Sequence, residues 1–275
     1  MPCPTELVAD FLTVFPTILA IDAARYLIAA GALVALLGLV PAGWVAARRL
    51  QQRLASSADR WREFGYSLQT VVIFAVNGYA IHVGARHGLF TIQPGLPAAE
   101  LLQAGATLVL IVVAHDAYFY WSHRAMHHPR LFRFFHRTHH RSHTPTPWAA
   151  YAFAWPEAVG QALFLPLFLL FVPVHGIVLL VFVTHMIVRN VMGHAGVELH
   201  ARGWAGSRWL GWMNTTTHHD LHHATARWNY GFYFRWWDRL MGTEHPDYVA
   251  TFDRATGGDT RKAMEARDGT LVEKA

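Results

Sequence analysis

Nine histidines recur at the spacings of metal ligands on helices: His123 and His127; His136, His139 and His140; His194; and His219, His222 and His223. They belong to a wider concentration, since 16 of the 19 histidines fall between His115 and His223. Imidazole is the commonest protein ligand for iron, zinc, copper and nickel. Positions i, i+3 and i+4 of a helix point to one side, so each cluster is expected to present its nitrogens together. A single His-x-x-x-His pair is more often two surface or core histidines than a site, but several such clusters in one segment point to metal. Nine nitrogens exceed the four ligands of one zinc ion and suit two ions with four or five ligands each, leaving positions for oxygen or water. Ligation by nitrogen without thiolate fits iron, though zinc or copper could occupy the same cage.

Four polar residues are candidates for supporting that chemistry. Asn190, one helical turn before His194, could hold a metal-bound water. Asp116 shares a helix face with His123 and is a candidate acceptor that fixes an imidazole tautomer. Glu198 and Asp220 could act similarly. His185 and His200 stand in reserve as ligands, while His82, His87, His175 and His245 read as structural or interfacial.

The surrounding composition is that of a membrane protein. Of 275 residues, 53% are hydrophobic and only 15% charged. Cys3 is the sole cysteine, which excludes a disulfide framework and thiolate metal sites. Lys262 and Lys274 are the only lysines, and the arginines flank apolar segments, which points to anionic lipid headgroups and away from nucleic acid. Residues 1–24 lack Lys and Arg, so the basic start of a secretory signal peptide is missing.

These residues must be positioned by helices. The expected fold is all-α, an integral membrane protein with about four transmembrane helices and a helical cap carrying the histidines. Apolar segments long enough to span lie at Tyr26–Ala47, preceded by a shorter stretch at Leu7–Ile21, then at Leu68–Ala85 and Leu101–Trp121. Residues 159–188 suffice for two tight passes or a re-entrant hairpin turning near Pro173 and Gly176. Arginines crowd 48–62 and 124–141 but are missing from 1–24, 87–100 and 171–176. The positive-inside rule therefore turns every histidine cluster to the cytoplasm. Three parts are expected: membrane helices over 1–100, a histidine domain over 101–246, and a polar, weakly ordered tail over 247–275. A bacterial inner membrane is the expected location, with the endoplasmic reticulum as the alternative.

Over roughly residues 105–246 the chain resembles the fatty acid hydroxylase/sterol desaturase superfamily of membrane di-iron oxygenases. The resemblance rests on Asp116-Ala-Tyr-Phe-Tyr-Trp-Ser-His123-Arg-Ala-Met-His127, on His136-Arg-Thr-His139-His140, and on Asn190-Val-Met-Gly-His194-Ala-Gly-Val-Glu198. It continues through His219-Asp-Leu-His222-His223, Asn229-Tyr-Gly231 and Trp237-Asp238 to Gly242-Thr243. It implies two irons at the cytoplasmic face, with O2 as co-substrate. The implied reaction puts a hydroxyl into an unactivated C–H region of a membrane lipid, or removes two hydrogens from it. Electrons would come from a separate redox partner, because no flavin or haem motif is visible. Two other readings of the histidines are a membrane zinc hydrolase acting on lipid amides or esters, and a metal transporter or sensor. The first lacks a His-Glu-x-x-His helix, and the second expects ligands near the bilayer midplane.

Overall fold

The computed structural model describes residues 4–257, about two-thirds of them (67%) helical. In chain order the helices are α1 (Pro4–Leu39), α2 (Ala42–Ala47), α3 (Ser57–Arg86), α4 (Leu101–Met126), α5 (Pro129–Phe135) and α6 (Arg137–His140). They continue with α7 (Trp155–Ala162), α8 (Phe164–Leu169), α9 (Gly176–Gly193), α10 (Thr216–Thr225), α11 (Trp236–Leu240) and α12 (Tyr248–Ala255). Four segments are long and apolar enough to cross a membrane: Val8–Leu39, Ser57–Arg86, Ala98–Met126 and Gly176–Gly193. Two-residue strands, Ile92–Gln93 and Val174–His175, pair in parallel and tie the 87–100 connection to the start of α9.

Three boundaries differ from the sequence expectation. The stretch at Leu7–Ile21 and the first part of Tyr26–Ala47 are one continuous helix that ends at Leu39, and Ala42–Ala47 form a separate short helix after Pro41. Asp22 and Arg25, the polar break between the two stretches, are an i, i+3 ion pair that neutralises itself within the helix. The first pass of the 159–188 hairpin is made by two short helices, parted where Pro166 cannot donate to the Ala162 carbonyl. Residues 248–255 are helical and ordered against the fold, because Tyr248 and Phe252 are buried against Ala205. A polar tail can begin only after them, and residues 258–275 lie outside the described part.

The largest apolar cluster joins α1, α3, α7 and α9 to the 3-10 segment Pro147–Tyr151, through Tyr26, Ala30, Val71, Ala150, Tyr151, Phe153, Ala158, Ile187 and Val191. Small residues at these contacts let helices approach closely. The Tyr26 and Ser67 hydroxyls both donate to the Trp148 carbonyl, at 2.9 and 2.8 Å. That segment follows α6 directly, so the membrane helices fix the height at which the second histidine cluster sits. On the far side of the histidines, Glu198 N donates to the Arg48 carbonyl (3.0 Å) and Leu50 N to the Gly196 carbonyl (3.2 Å). The chain leaving α1 and α2 thus holds the stretch between α9 and α10.

Candidate metal centre

Four helix ends converge. The last turn of α4 brings His123, with His127 as its C-cap. Pro129 starts α5, which folds the chain back and delivers His136 as the N-cap of α6, followed by His139 and His140. His194 caps the C-terminus of α9, and α10 carries His219, His222 and His223.

The nine side chains fall into two groups, His123, His127, His136, His140 and His222, and then His139, His194, His219 and His223. Within each group the ligating atoms lie within 4.8 Å of one another, and neither group includes a carboxylate among the described residues. In the larger group, Nε2–Nε2 separations are 2.9 Å (His123–His136), 3.1 Å (His127–His222 and His127–His140) and 3.0 Å (His140–His222). In the smaller they are 3.3 Å (His139–His194), 3.0 Å (His194–His219) and 3.2 Å (His219–His223). Nitrogens about 2.1 Å from one ion stand about 3.0 Å apart at right angles and about 3.4 Å apart at the tetrahedral angle. The separations, 2.9 to 3.3 Å, lie within about 0.1 Å of that interval, so each group fits a metal ion.

The clusters do not each serve one centre, as the shared-face expectation had it. His136 and His140 go to one group and His139 to the other; His219 and His223 pair while His222 crosses over. Helix twist explains the split. An i, i+4 step overshoots a full turn by about 40°, whereas an i, i+3 step falls short by about 60°. Adjacent histidines therefore diverge by about 100°, and each His-His dipeptide supplies one ring to each group.

The far ring nitrogens fix which nitrogen faces inward. His123 Nδ1 donates to the Tyr230 carbonyl (2.9 Å), His222 Nδ1 to the Trp228 carbonyl (2.6 Å) and His194 Nδ1 to the Asn190 carbonyl (2.7 Å). His136 Nδ1 meets Glu157 Oε1 at 2.6 Å. With Nδ1 protonated, each Nε2 carries a lone pair, and lone pairs about 3 Å apart repel unless a cation lies among them. Burial, reinforced by neighbouring imidazoles, holds His136, His139, His219, His222 and His223 well below their usual range. Burial likewise lowers His127 to about 2, His140 to about 3 and His194 to about 4. The rings outside the membrane spans are thus neutral at pH 7, the state that ligates.

None of the four supporting residues bonds one of the nine clustered rings through its side chain. Asp116 binds no imidazole: it accepts from Tyr233 N (2.8 Å), Phe234 N (3.2 Å) and Trp236 Nε1 (2.8 Å), and so staples the 233–236 loop to α4. The side chain of Asn190 donates to the Ala150 carbonyl at 2.5 Å, and its backbone carbonyl is what orients His194. Glu198 accepts from Thr217 N and Oγ1 (2.7 and 2.6 Å) and from His200 N and Nδ1 (both 2.8 Å), which anchors the first turn of α10. Asp220 accepts from Gln51 Nε2 at 3.1 Å and touches no ligand. Burial raises its pKa to about 7. Neither reserve histidine joins a group: His200 is bound to Glu198 and His185 stacks on Tyr233. The acceptor that sequence reading missed is Glu157, almost fully buried, whose carboxyl burial pushes well above its usual range. One signal was available: Glu157 is the only charged residue between Arg141 and Arg189.

A cavity of about 580 Å³ leads from the bilayer-spanning helices to this centre. Its inner end is walled by Phe119, Phe153 and Asn190. The Phe119 ring lies 5.0 Å from His123 and the Phe153 ring 5.2 Å from His139, so the apolar space ends against both groups.

Residues 108–243 match the family model for fatty acid hydroxylases, a stretch that contains all nine histidines and Glu157. The chain belongs to the fatty acid hydroxylase/sterol desaturase superfamily. Among curated relatives, a Delta(7)-sterol 5(6)-desaturase of Gibberella zeae is 28% identical over 60% of this chain and 50% of its own length. A methylsterol monooxygenase of Aspergillus fumigatus is 33% identical over 54% of this chain and 50% of its own. A lathosterol oxidase of Rattus norvegicus is 33% identical over 48% of this chain and 42% of its own. The chain thus spans about half the length of the curated relatives it matches. No solved structure matches it at significance.

Proposed function

We propose that this superfamily member is an integral-membrane di-iron oxygenase that hydroxylates or desaturates a membrane lipid, with a sterol-like ring system as the first substrate class to test. One observation carries the reading: nine imidazole nitrogens converge in two thiolate-free groups at the closed end of an apolar cavity among spanning helices. His123, His127, His136, His140 and His222 would hold one iron, and His139, His194, His219 and His223 the other. Bound iron would supply the reduction of O2 and the removal of hydrogen from an unactivated C–H bond. The chain's own work is positional. Glu157 and the carbonyls of Tyr230, Trp228 and Asn190 hold the rings in one tautomer, while Phe119 and Phe153 present an apolar wall that keeps water from the reacting carbon.

Electrons would come from a separate redox protein, reaching the histidine face from the arginine-rich, cytoplasmic side. A bacterial inner membrane and the endoplasmic reticulum both present that orientation. Residues 101–246 form the catalytic domain in this reading, and residues 1–100 build the lipid-facing wall of the cavity. A zinc hydrolase is disfavoured because, among the described residues, no carboxylate lies in either nitrogen group to serve as its base.

The test is Mössbauer spectroscopy and metal analysis of detergent-purified protein made in iron-57 medium, followed by product analysis with a reductant and lipid extract. About two coupled irons per chain and products shifted by one added oxygen or two lost hydrogens are expected. Iron-reconstituted protein that consumes no oxygen under these conditions would overturn the assignment.

A further inference from the structure

The cavity is a tall slot. On α3 its lining runs from Phe74 through Asn77, Gly78, Ile81, His82 and Ala85 to Arg86, which is about 18 Å along the helix axis at 1.5 Å per residue. Most of the cavity's lining is apolar, yet Asp22 and Arg25 of α1 also line it. They flank the midpoint of the span Val8–Leu39, the depth at which charge is most costly to bury. Arg25 Nη2 donates to Asp22 Oδ1, but Arg25 Nε and Nη1 have no hydrogen-bond partner. Asn77 belongs to the same level, since its neighbour Gly78 packs on Ile18, one turn before Asp22. The polar residues farther out, His82 and Arg86, are already engaged by Asp10 at 3.3 and 2.5 Å. The pair at mid-height keeps two buried donors unused.

We infer that Asp22, Arg25 and Asn77 form a clasp for the single uncharged hydroxyl of an elongated amphiphile lying in the slot. A hydroxyl both donates and accepts, so it can donate a hydrogen bond to the Asp22 carboxylate while accepting one from an Arg25 N–H. The pair is neutral overall, and an anionic headgroup would add an unbalanced charge in a medium of low dielectric. A purely apolar lipid would leave the Arg25 donors unpaired. Tyr151 lines the same cavity and stacks at 5.8 Å on Tyr26, the residue after Arg25, and from that ring two steps of 6.2 and 5.2 Å, through Phe153, reach His139. The hydroxyl would therefore sit two ring-widths from the centre and set which carbon meets it. This rests on the oxygenase reading for its chemistry but not for the binding itself.

The test is equilibrium binding to the full chain in detergent, with a tritiated 3-hydroxysterol displaced by three unlabelled compounds of one skeleton: the alcohol, its methyl ether and a carboxylic acid analogue. The alcohol is expected to bind roughly tenfold or more tighter than the ether, which loses a donor to a charged acceptor. The double variant Asp22→Asn/Arg25→Gln, which keeps the helix free of a lone charge, should bring the two within about twofold while iron content stays unchanged. Equal binding of alcohol and ether to the unaltered protein would overturn the clasp without recourse to any variant. So would tighter binding of the acid, or a preference that survives the double substitution. Iron measured on the same samples separates the two proposals. Two irons with no hydroxyl preference would sink the clasp alone, and no iron with the preference intact would sink the oxygenase alone.

Discussion

Replacing Glu157 by Ala should cost the five-histidine group its metal before the four-histidine group is affected. The carboxyl lies 2.6 Å from His136 Nδ1, and the two side chains are 1% and 2% exposed, so no solvent can replace the lost acceptor. Removing a hydrogen-bond partner behind a metal-bound imidazole costs about 10–100-fold in affinity, or about 1.4–2.7 kcal/mol. Burial places Glu157→Ala at the upper end. Glu157→Gln, which keeps an acceptor oxygen and loses only charge, belongs near the lower end. The assay is metal content after dialysis against graded chelator, with helicity and monodispersity in detergent recorded alongside. Unaltered protein should hold two ions to the highest chelator concentrations. The Ala variant should fall to one ion at about a hundredfold lower chelator and stay there, since His139, His194, His219 and His223 do not touch Glu157. Chelator resistance like that of the unaltered protein would refute the assigned role of Glu157, and loss of both ions together would refute the separate assignment of the two groups.

His139→Ala and His222→Ala should each abolish lipid oxidation while the protein remains helical and monodisperse, and full activity in either would contradict the ligand assignment. A Cβ added at Gly231 would meet the Phe234 carbonyl at 2.5 Å and Asp238 Oδ2 at 2.9 Å. Gly231→Ala should therefore displace the loop that brings the Tyr230 carbonyl to His123, costing about 1–3 kcal/mol of stability in thermal melts; an unchanged melting temperature would disprove this. Metal-free protein should also lose stability as pH falls. Burial holds His127, His136, His139, His140, His194, His219, His222 and His223 below the ordinary 6.5, with His194 at about 4. Unfolded chains therefore take up protons that the folded state refuses. Their contribution is complete above pH 6.5 and declines as acid approaches the folded values. Melting temperatures that rise from pH 7.5 to 5 would reverse the sign.

The nine histidines that converge could be picked out from spacing because a helix repeats its geometry, and clusters three and four residues apart are conspicuous in a linear string. Which ring serves which group could not be read so easily, because the shared-face approximation hides the angle between i+3 and i+4. The groups behind the rings were the least legible. Three of them, at Asn190, Trp228 and Tyr230, are backbone carbonyls, which every residue type possesses. Glu157 comes from α7, 21 residues after His136, and only tertiary folding reveals that it faces His136. Asp116 and Glu198 show the converse: both are buried acids close in sequence to the clustered histidines, yet their oxygens are spent on other donors, Asp116 on the 233–236 loop and Glu198 on Thr217 and His200. The continuity of α1 was hidden for a related reason, since a charge pair reads as a break until its two members are seen to satisfy each other.

The paired histidines of α6 and α10 have a mechanical consequence. Each dipeptide, His139–His140 and His222–His223, reaches into both groups, so one rigid peptide unit spans the gap on each of two sides. Two ions held there would have their separation gauged by the pitch of a helix, with no shared carboxylate free to swing as charge changes. A shift of bond lengths at one ion would load the same turn that grips the other. Such a centre would take up strain as a single frame rather than as two independent cups.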